Sequence, residues 1–314
     1  MGILIVDDDP IILDLLPAIL RREGHTDIRV AASGSAAIDI LMCPENRFDI
    51  LIFDIAMPEM DGIALCREVR KMPAYCTTPI IMLTAKSDKL SVEGAFVAGA
   101  NDYITKPFDV KSIGLRIQIA ERMIRETCQT HRRVGLGNDL STNIDIKDPV
   151  KISGLMQHTD PFSLGNYLSQ LARKKVDETS VFAARINAVQ SLYEIFSNSD
   201  FLLIVSEVSN AISIAAEDNR LLSAYNGSGT FLCITTDDIL GIWLTMEQRV
   251  DDNIKHSAIL RSAGIDVGIT VTMGRPFRPN ASKTKRVRPT FERAIFQLDR
   301  RVKVSSRAYK SAHR

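Results

Sequence analysis

The sequence predicts an α/β fold for its first half, a five-stranded parallel sheet wound with helices on both faces, and an α+β domain for its second half. Three observations carry this expectation. Ile50 to Phe53 is an apolar run without polar alternation, ended by a lone Asp54 and followed by Pro58 and Gly62. A continuous run of that kind suits a parallel strand buried on both faces. Four other short strand patterns flank it, two of them apolar runs, each separated from the next by a helical pattern and short loops, the alternation that builds a parallel sheet. Beyond residue 148 helical and strand patterns come in mixed order.

Taken along the chain, Ile3 to Val6 is the first strand, closed by Asp7, Asp8 and Asp9. Pro10 then opens a helix, where its fixed φ and missing N–H cost least. Ile11, Ile12, Leu15, Leu16, Ile19 and Leu20 mark one face of that helix as far as Gly24. Ile28 to Ala31 is the second strand and Ser33 to Met42 the second helix. The Asp54 strand is third, and Ile63 to Met72 is helical. Pro79 to Leu83 is the fourth strand, ending at Thr84, and Ser87 caps a helix reaching Gly99. Asp102 to Thr105 is the fifth strand, ending in Lys106-Pro107. Asp109 starts a long helix running toward Arg133. On it Ile113, Ile117, Ala120 and Ile124 recur at spacings of four, three and four. The first two are expected to pack on the sheet, and the last two to form a coiled-coil-like seam for a stalk or homodimer.

Gly135 to Asp148 is rich in Gly, Asn, Asp and Ser and reads as a boundary. The expected organisation is a sheet domain over 1–120, a helical extension and linker over 121–147, a second domain over 148–307 and a basic tail over 308–314. In the second domain, periodicity predicts helices over Phe162 to Lys174 and Phe201 to Ala216. It predicts strands over Val181 to Ile186, Phe231 to Thr235 and Ile265 to Met273. Asn280 to Pro289 has little hydrophobic content and is expected to be a loop.

With 314 residues, the chain can build two domains with cores of their own. Five scattered cysteines without paired spacing suit free thiols in a reducing compartment. No apolar run approaches the roughly 18 residues of a membrane span, and the first strand starts too early to leave room for a signal peptide. A soluble cytoplasmic protein without membrane insertion is expected. The net charge of +1 hides a basic end: from Gly274 onward nine Arg and four Lys face only Glu292 and Asp299. No aromatic residue falls among the basic residues of Asn280 to Pro289, and no helix-turn-helix with a basic recognition helix stands out. Nucleic-acid binding is therefore kept only as an alternative.

The chemistry gathers at the strand ends. Asp7 and Asp8, Asp54, Thr84 and Lys106 all fall at the edge where open α/β sheets place their ligands. Three crowded carboxylates repel one another and resist ionisation unless something compensates. A hard divalent cation such as Mg²⁺ does so through oxygen ligands. Asp54 can then act as a nucleophile toward phosphorus, with Lys106 and Thr84 as donors to the phosphoryl oxygens.

The motifs V-D-D-D-P (Val6 to Pro10), F-D-I-A-M-P-E-M-D-G (Phe53 to Gly62), M-L-T-A (Met82 to Ala85) and Y-I-T-K-P-F (Tyr103 to Phe108) resemble the receiver domain of two-component response regulators, over residues 1 to about 120. The resemblance implies a flavodoxin-like fold with Asp54 as phosphoacceptor. It implies Mg²⁺ held by Asp7, Asp8, Asp54 and the backbone carbonyl of Ala56, with Thr84 and Lys106 binding the phosphoryl group and Tyr103 as aromatic switch residue. A histidine kinase or phosphotransfer protein would be the donor. Signalling, and a possible homodimer, would run through the face of the fourth helix, fifth strand and fifth helix.

The second half more faintly resembles the GGDEF domain of diguanylate cyclases. The matching segments are D-P-V-K-I-S-G-L (Asp148 to Leu155), Tyr225-Asn226 followed by G-S-G-T-F (Gly227 to Phe231), V-G-I-T-V-T-M-G (Val267 to Gly274) and F-E-R-A-I-F (Phe291 to Phe296). The departures decide its function. Gly229 and Thr230 replace the acidic pair of the signature turn Gly227, Ser228, Gly229, Thr230, Phe231. The metal-binding pair of the first strand falls at Arg185 and Asn187, and the inhibitory RxxD motif is missing before Tyr225. An arginine at a metal position sets positive charge against the cation. Asp200 aligns with a base-contacting aspartate. The expectation is a degenerate, catalytically inert domain acting on an unknown downstream protein, by protein interaction or dimerisation. An active cyclase with a non-standard signature, making cyclic-di-GMP from GTP, is the alternative.

Overall fold

A computed structural model describes residues 1–85, 89–133, 145–149, 158–171, 173–217, 221–235, 239–265, 268–282 and 286–312. The chain divides into two compact units, Met1–Gly137 and Asn138–Arg314. No helix among the described residues is long and apolar enough to cross a membrane. Cys43, Cys66, Cys76 and Cys233 are free thiols.

The first unit alternates β1 (Ile3–Val6), α1 (Pro10–Arg22), β2 (Ile28–Ala31), α2 (Gly34–Met42), β3 (Ile50–Asp54), α3 (Gly62–Lys71), β4 (Ile80–Ala85), α4 (Lys89–Val97), β5 (Asp102–Lys106) and α5 (Val110–Arg133). Its five strands are parallel in the order β2-β1-β3-β4-β5. Every residue of β1 and β3 is buried, the outcome expected of strands covered on both faces. Their side chains alternate between two cores, Leu4, Val6, Leu51 and Phe53 on one face and Ile3, Ile5, Ile50 and Ile52 on the other. Helix starts are set by side chains that satisfy otherwise orphaned N–H groups. Asp9 accepts from Ile11, Ser33 from Ala36 and Asp61 from Ala64. The expected cap at Ser87 lies outside the described residues.

Helix α5 corrects one expectation. Ala120 is buried in the same core as Ile113 and Ile117, and Ile124 packs against it half-buried. The stripe expected to form a stalk or homodimer seam is therefore used inside the first unit, because the helix keeps covering the sheet past its second turn.

The second unit contains β6 (His158–Thr159), α6 (Pro161–Gln170), α7 (Arg173–Glu178), β7 (Ser180–Ile186), α8 (Val189–Ile195), α9 (Asn198–Ala215), β8 (Leu221–Tyr225), β9 (Thr230–Thr235), α10 (Trp243–Lys255), α11 (Ala258–Ser262), β10 (Val271–Met273) and α12 (Val287–Ala312). The sheet order is β10-β7-β9-β8-β6, antiparallel except for the β6–β8 pair. Helices α8 to α11 pack their apolar side chains on one face of this mixed sheet, and α6 and α12 lie against β7, β8, β9 and β10.

Four expectations are corrected here. The helix expected over Phe162 to Lys174 is interrupted, with Leu171 standing between α6 and α7. The strand expected from Ile265 is reduced to Val271–Met273. Its N–H groups at Val271 and Met273 donate to the carboxylates of Asp251 and Glu247 on α10, so a helix rather than another strand covers this sheet edge. The loop expected over Asn280 to Pro289 gives way to α12 at Val287. Arg286 is 1% exposed, and its guanidinium donates to the carbonyls of Leu168, Ser169, Leu171, Asn280 and Ala281. A buried cation thus collects the orphan carbonyls at the end of α6, and burial pulls its pKa down. The helix then continues to Ala312 through most of the expected basic tail. Of the linker and the segment Asp148 to Leu155, only residues 145–149 are described.

Candidate functional site

Because the strands of the first unit are parallel, their carboxyl ends meet along one edge. Asp54 closes β3, Asp7 and Asp8 follow β1, Thr84 stands near the end of β4 and Lys106 closes β5. Asp7 is fully buried and Asp54 nearly so, while Asp8 is exposed. Lys106 Nζ lies 2.7 Å from Asp7 Oδ2 and 2.5 Å from Asp54 Oδ1. Asp7, Asp8 and Asp54 each offer a carboxylate oxygen within 4.8 Å of the others.

The backbone frames these groups. Asp54 Oδ2 accepts from the Ala56 N–H at 2.7 Å, and Asp7 Oδ1 from the Asp9 N–H at 3.0 Å. The Gly62 N–H reaches the Ile55 carbonyl at 3.0 Å. A Cβ at Gly62 would stand 2.0 Å from the Asp54 carbonyl oxygen, so only glycine lets α3 start this close to the site. The sequence motif contains this glycine, but its reason is a distance that spacing cannot show.

Electrostatics follow from the same geometry. Burial pushes the Asp7 carboxyl above its ordinary range, against the pull of Lys106 and the Asp9 N–H and with help from the Asp54 charge. For Lys106 burial works downward, but the hydrogen bonds it donates to Asp54 and Asp7 outweigh it and the ammonium is held above its usual value. Three carboxylates against one ammonium leave the cluster short of positive charge. Its donors are oxygens only, one of them exposed, which fits a hard divalent cation such as Mg²⁺.

Thr84 is buried, its hydroxyl donating to the Ala85 carbonyl at a long 3.3 Å. Tyr103, half-buried on β5, stands edge-on to Phe96 with ring centroids 6.2 Å apart. Burial, then Asp102, raises its phenol pKa. Ala56 is exposed, two residues beyond Asp54. The structure thus brings Asp7, Asp8, Asp54 and Lys106 into one cluster, with Thr84 and Tyr103 on the adjoining strands.

The second unit places its singled-out residues differently. Arg185 on β7 is in register with Thr230 of β9 and Thr272 of β10. Its Nε donates to Thr230 Oγ1 at 3.0 Å, and its Nη1 to Asp299 Oδ1 of α12 at 2.7 Å. Asn187 bonds the hydroxyls of Thr270 and Thr272. In the turn, Gly227, Ser228 and Gly229 all have positive φ. The Ser228 N–H donates to the Ile146 carbonyl, the Gly229 N–H to the Tyr225 hydroxyl and the Thr230 N–H to the Gly227 carbonyl. Phe231 is buried against Tyr225. Those three N–H groups are spent inside the fold. Asp200 sits in the first turn of α9, bonded to Ser197. Asp299 was not anticipated; only its position on the far helix, outside any motif, makes it the partner of Arg185.

The basic end is partly consumed as well. Arg286 is internal, Arg288 pairs with Glu292, Arg301 bonds Glu247 and the Met273 carbonyl, and Arg293 stacks on Phe277.

Comparison with known proteins concerns the first unit. Residues 3–118 match the family described as Response regulator receiver domain. The heme response regulator HssR of Staphylococcus aureus (strain JH9) is 38% identical over 135 residues, which is 43% of this chain and 57% of that relative. The chain therefore spans little more than half the length of the curated relatives it matches. Among solved structures, the receiver domain of NtrX from Brucella abortus is 31% identical, covering 40% of this chain and 98% of that one, with a TM-score of 0.35. The receiver domain of a signal transduction histidine kinase from Syntrophus aciditrophicus is 35% identical, covering 40% and 90%, with a TM-score of 0.35. Residues 3–118 are a response regulator receiver domain.

Proposed function

We propose that this chain is the response regulator of a two-component phosphorelay, phosphorylated on Asp54 with Mg²⁺, and that its second unit is a degenerate GGDEF-like module acting without catalysis. The observation that carries the reading is Lys106 Nζ lying between Asp7 and Asp54, with Asp8 beside them. Asp7, Asp8, Asp54 and the Ala56 carbonyl would hold the metal. Bound Mg²⁺ supplies the positive charge that keeps the carboxylates ionised together and offsets charge on the phosphoryl oxygens.

A histidine kinase or phosphotransfer protein presents a phosphohistidine. A carboxylate oxygen of Asp54 attacks phosphorus, the acyl-phosphate bond forms, and the P–N bond breaks with its electron pair returning to the imidazole. Lys106 donates to one phosphoryl oxygen. Thr84 donates to another, giving up a bond to Ala85 that is already long. Tyr103, half-buried beside Phe96, is the switch residue that responds to the Thr84 rearrangement.

In the second unit, Arg185 and Asn187 occupy the positions where cyclase chemistry needs metal-binding carboxylates, and Arg185 is tied to Asp299 and Thr230. This supports an inert module whose output is a protein interaction or dimerisation.

Incubation with a small phosphodonor and Mg²⁺ should give an adduct stable in acid and labile in base, absent in Asp54→Ala. Incubation with GTP and Mg²⁺ or Mn²⁺ should give no cyclic-di-GMP, before or after phosphorylation; clear turnover would overturn the inert reading of the second unit and leave the first intact.

A further inference from the structure

Helix α12 carries Arg288, Glu292 and Phe296 at i, i+4 and i+8, one stripe along its outer side. Arg288 and Glu292 form an exposed pair, 2.7 Å apart, and Phe296 is 62% exposed. Between α6 and α12 runs a groove of about 440 Å³, its apolar surface given mainly by Pro161, Phe162, Val287, Phe291 and Ile295, with Arg288 and Glu292 of the stripe forming part of its wall. A large exposed aromatic ring next to an unfilled apolar groove is the kind of surface that marks an interaction site.

We propose that the occupant is a second copy of this chain: two α12 helices pack antiparallel across a two-fold axis, and Phe296 of each copy enters the α6–α12 groove of the other. The charges on the stripe favour this occupant. An antiparallel crossing centred between Arg288 and Glu292 sets each Arg288 against the copy's Glu292, so one rotation satisfies both pairs, as an isologous interface requires. A uniformly acidic or uniformly basic partner would place a like charge against one of the two. Helical side chains lean toward their own N-terminus. Phe296 therefore reaches back toward the middle of the interface, where the Val287 end of the copy's groove lies. The exposed charge pairs set register, and burial of the two rings supplies affinity. This surface lies wholly within the second unit and does not depend on phosphorylation of Asp54.

Sedimentation velocity of the full, unphosphorylated chain over a concentration series tests it. The expected result is reversible dimerisation, weakened about tenfold or more by Arg288→Glu and by Phe296→Asp. The double variant Arg288→Glu/Glu292→Arg should return to the parent value. Thermal unfolding of all three variants should match the parent, since the changed side chains are exposed. A chain that stays monomeric throughout overturns the proposal. So does a dimer indifferent to Phe296→Asp, or a double variant no better than the single, an outcome that would leave the groove to a small apolar ligand or another protein's helix.

Discussion

Asp54 and Arg185 each stand at or near the carboxyl end of a buried strand, β3 in the first unit and β7 in the second. Their surroundings differ in one decisive respect. Around Asp54, two further carboxylates face a single ammonium, so the cluster keeps a deficit of positive charge. Around Arg185, one carboxylate and one hydroxyl meet one guanidinium, and the charges cancel. A site with charge left over can recruit a cation and a phosphoryl group. A site whose charges already balance holds helix α12 to the sheet and leaves no surplus charge to attract a cation.

The largest effects are expected where both regions rest on a glycine pressed against a carbonyl. A Cβ at Gly62 would meet the Asp54 oxygen at 2.0 Å, and one at Gly227 would meet the Lys147 oxygen at 2.1 Å. Each substitution to alanine should cost about 3 kcal/mol or more. In urea unfolding and hydrogen exchange, Gly62→Ala should weaken the first unit and abolish phosphorylation. Gly227→Ala should weaken the second and leave phosphorylation alone. Arg286→Ala, which strands the carbonyls at the end of α6, should cost the second unit about 3 kcal/mol.

Next in size is the response to metal. At a hundredfold excess over its dissociation constant, Mg²⁺ should stabilise the first unit by about 2.7 kcal/mol. Hydrogen exchange should show that gain in the first unit alone, and Asp54→Asn should remove it. An equal gain in the second unit would break the contrast drawn between Asp54 and Arg185. Arg185→Ala should cost only about 1 kcal/mol, because the Asp299 end of the pair is partly exposed, and it should restore no GTP turnover.

The smallest effect concerns tyrosines. Burial raises the pKa of both Tyr103 and Tyr225 above 10.0. A raised phenol pKa stabilises the fold fully below the unfolded value of 10.0 and loses that contribution as pH climbs through the folded value. Tyrosinate absorbance should rise late, and Tyr103→Phe should remove one late-titrating group while Tyr225 still titrates late. An unchanged titration in Tyr103→Phe would mean that Tyr103 is not shielded.

The same comparison explains what could be read from the residues. In the first unit β1, β3 and β4 are apolar runs that end at or beside a functional side chain, so Ile3–Val6, Ile50–Asp54 and the cluster at their ends were legible together. The burial of Ala120 and the half-burial of Ile124 were not, because a helical stripe looks the same whether it packs on its own sheet or on a partner. In the second unit, strand Leu221–Tyr225 went unmarked because its residues do not alternate, and helix Trp243–Lys255 went unmarked although Met246, Val250 and Ile254 recur at helical spacing on its buried face. The start of α12 was hidden by a buried arginine and by Pro289, which the first turn of a helix tolerates. Asp299 became the partner of Arg185 only through tertiary packing across more than a hundred residues.

The central claim is that the chemistry of this chain resides at Asp54. Intact-mass analysis after incubation with a small phosphodonor and Mg²⁺ tests it most directly. A single phosphoryl group on the parent chain, lost in base and absent from Asp54→Ala, is the result predicted. The same yield of adduct on Asp54→Ala would contradict it.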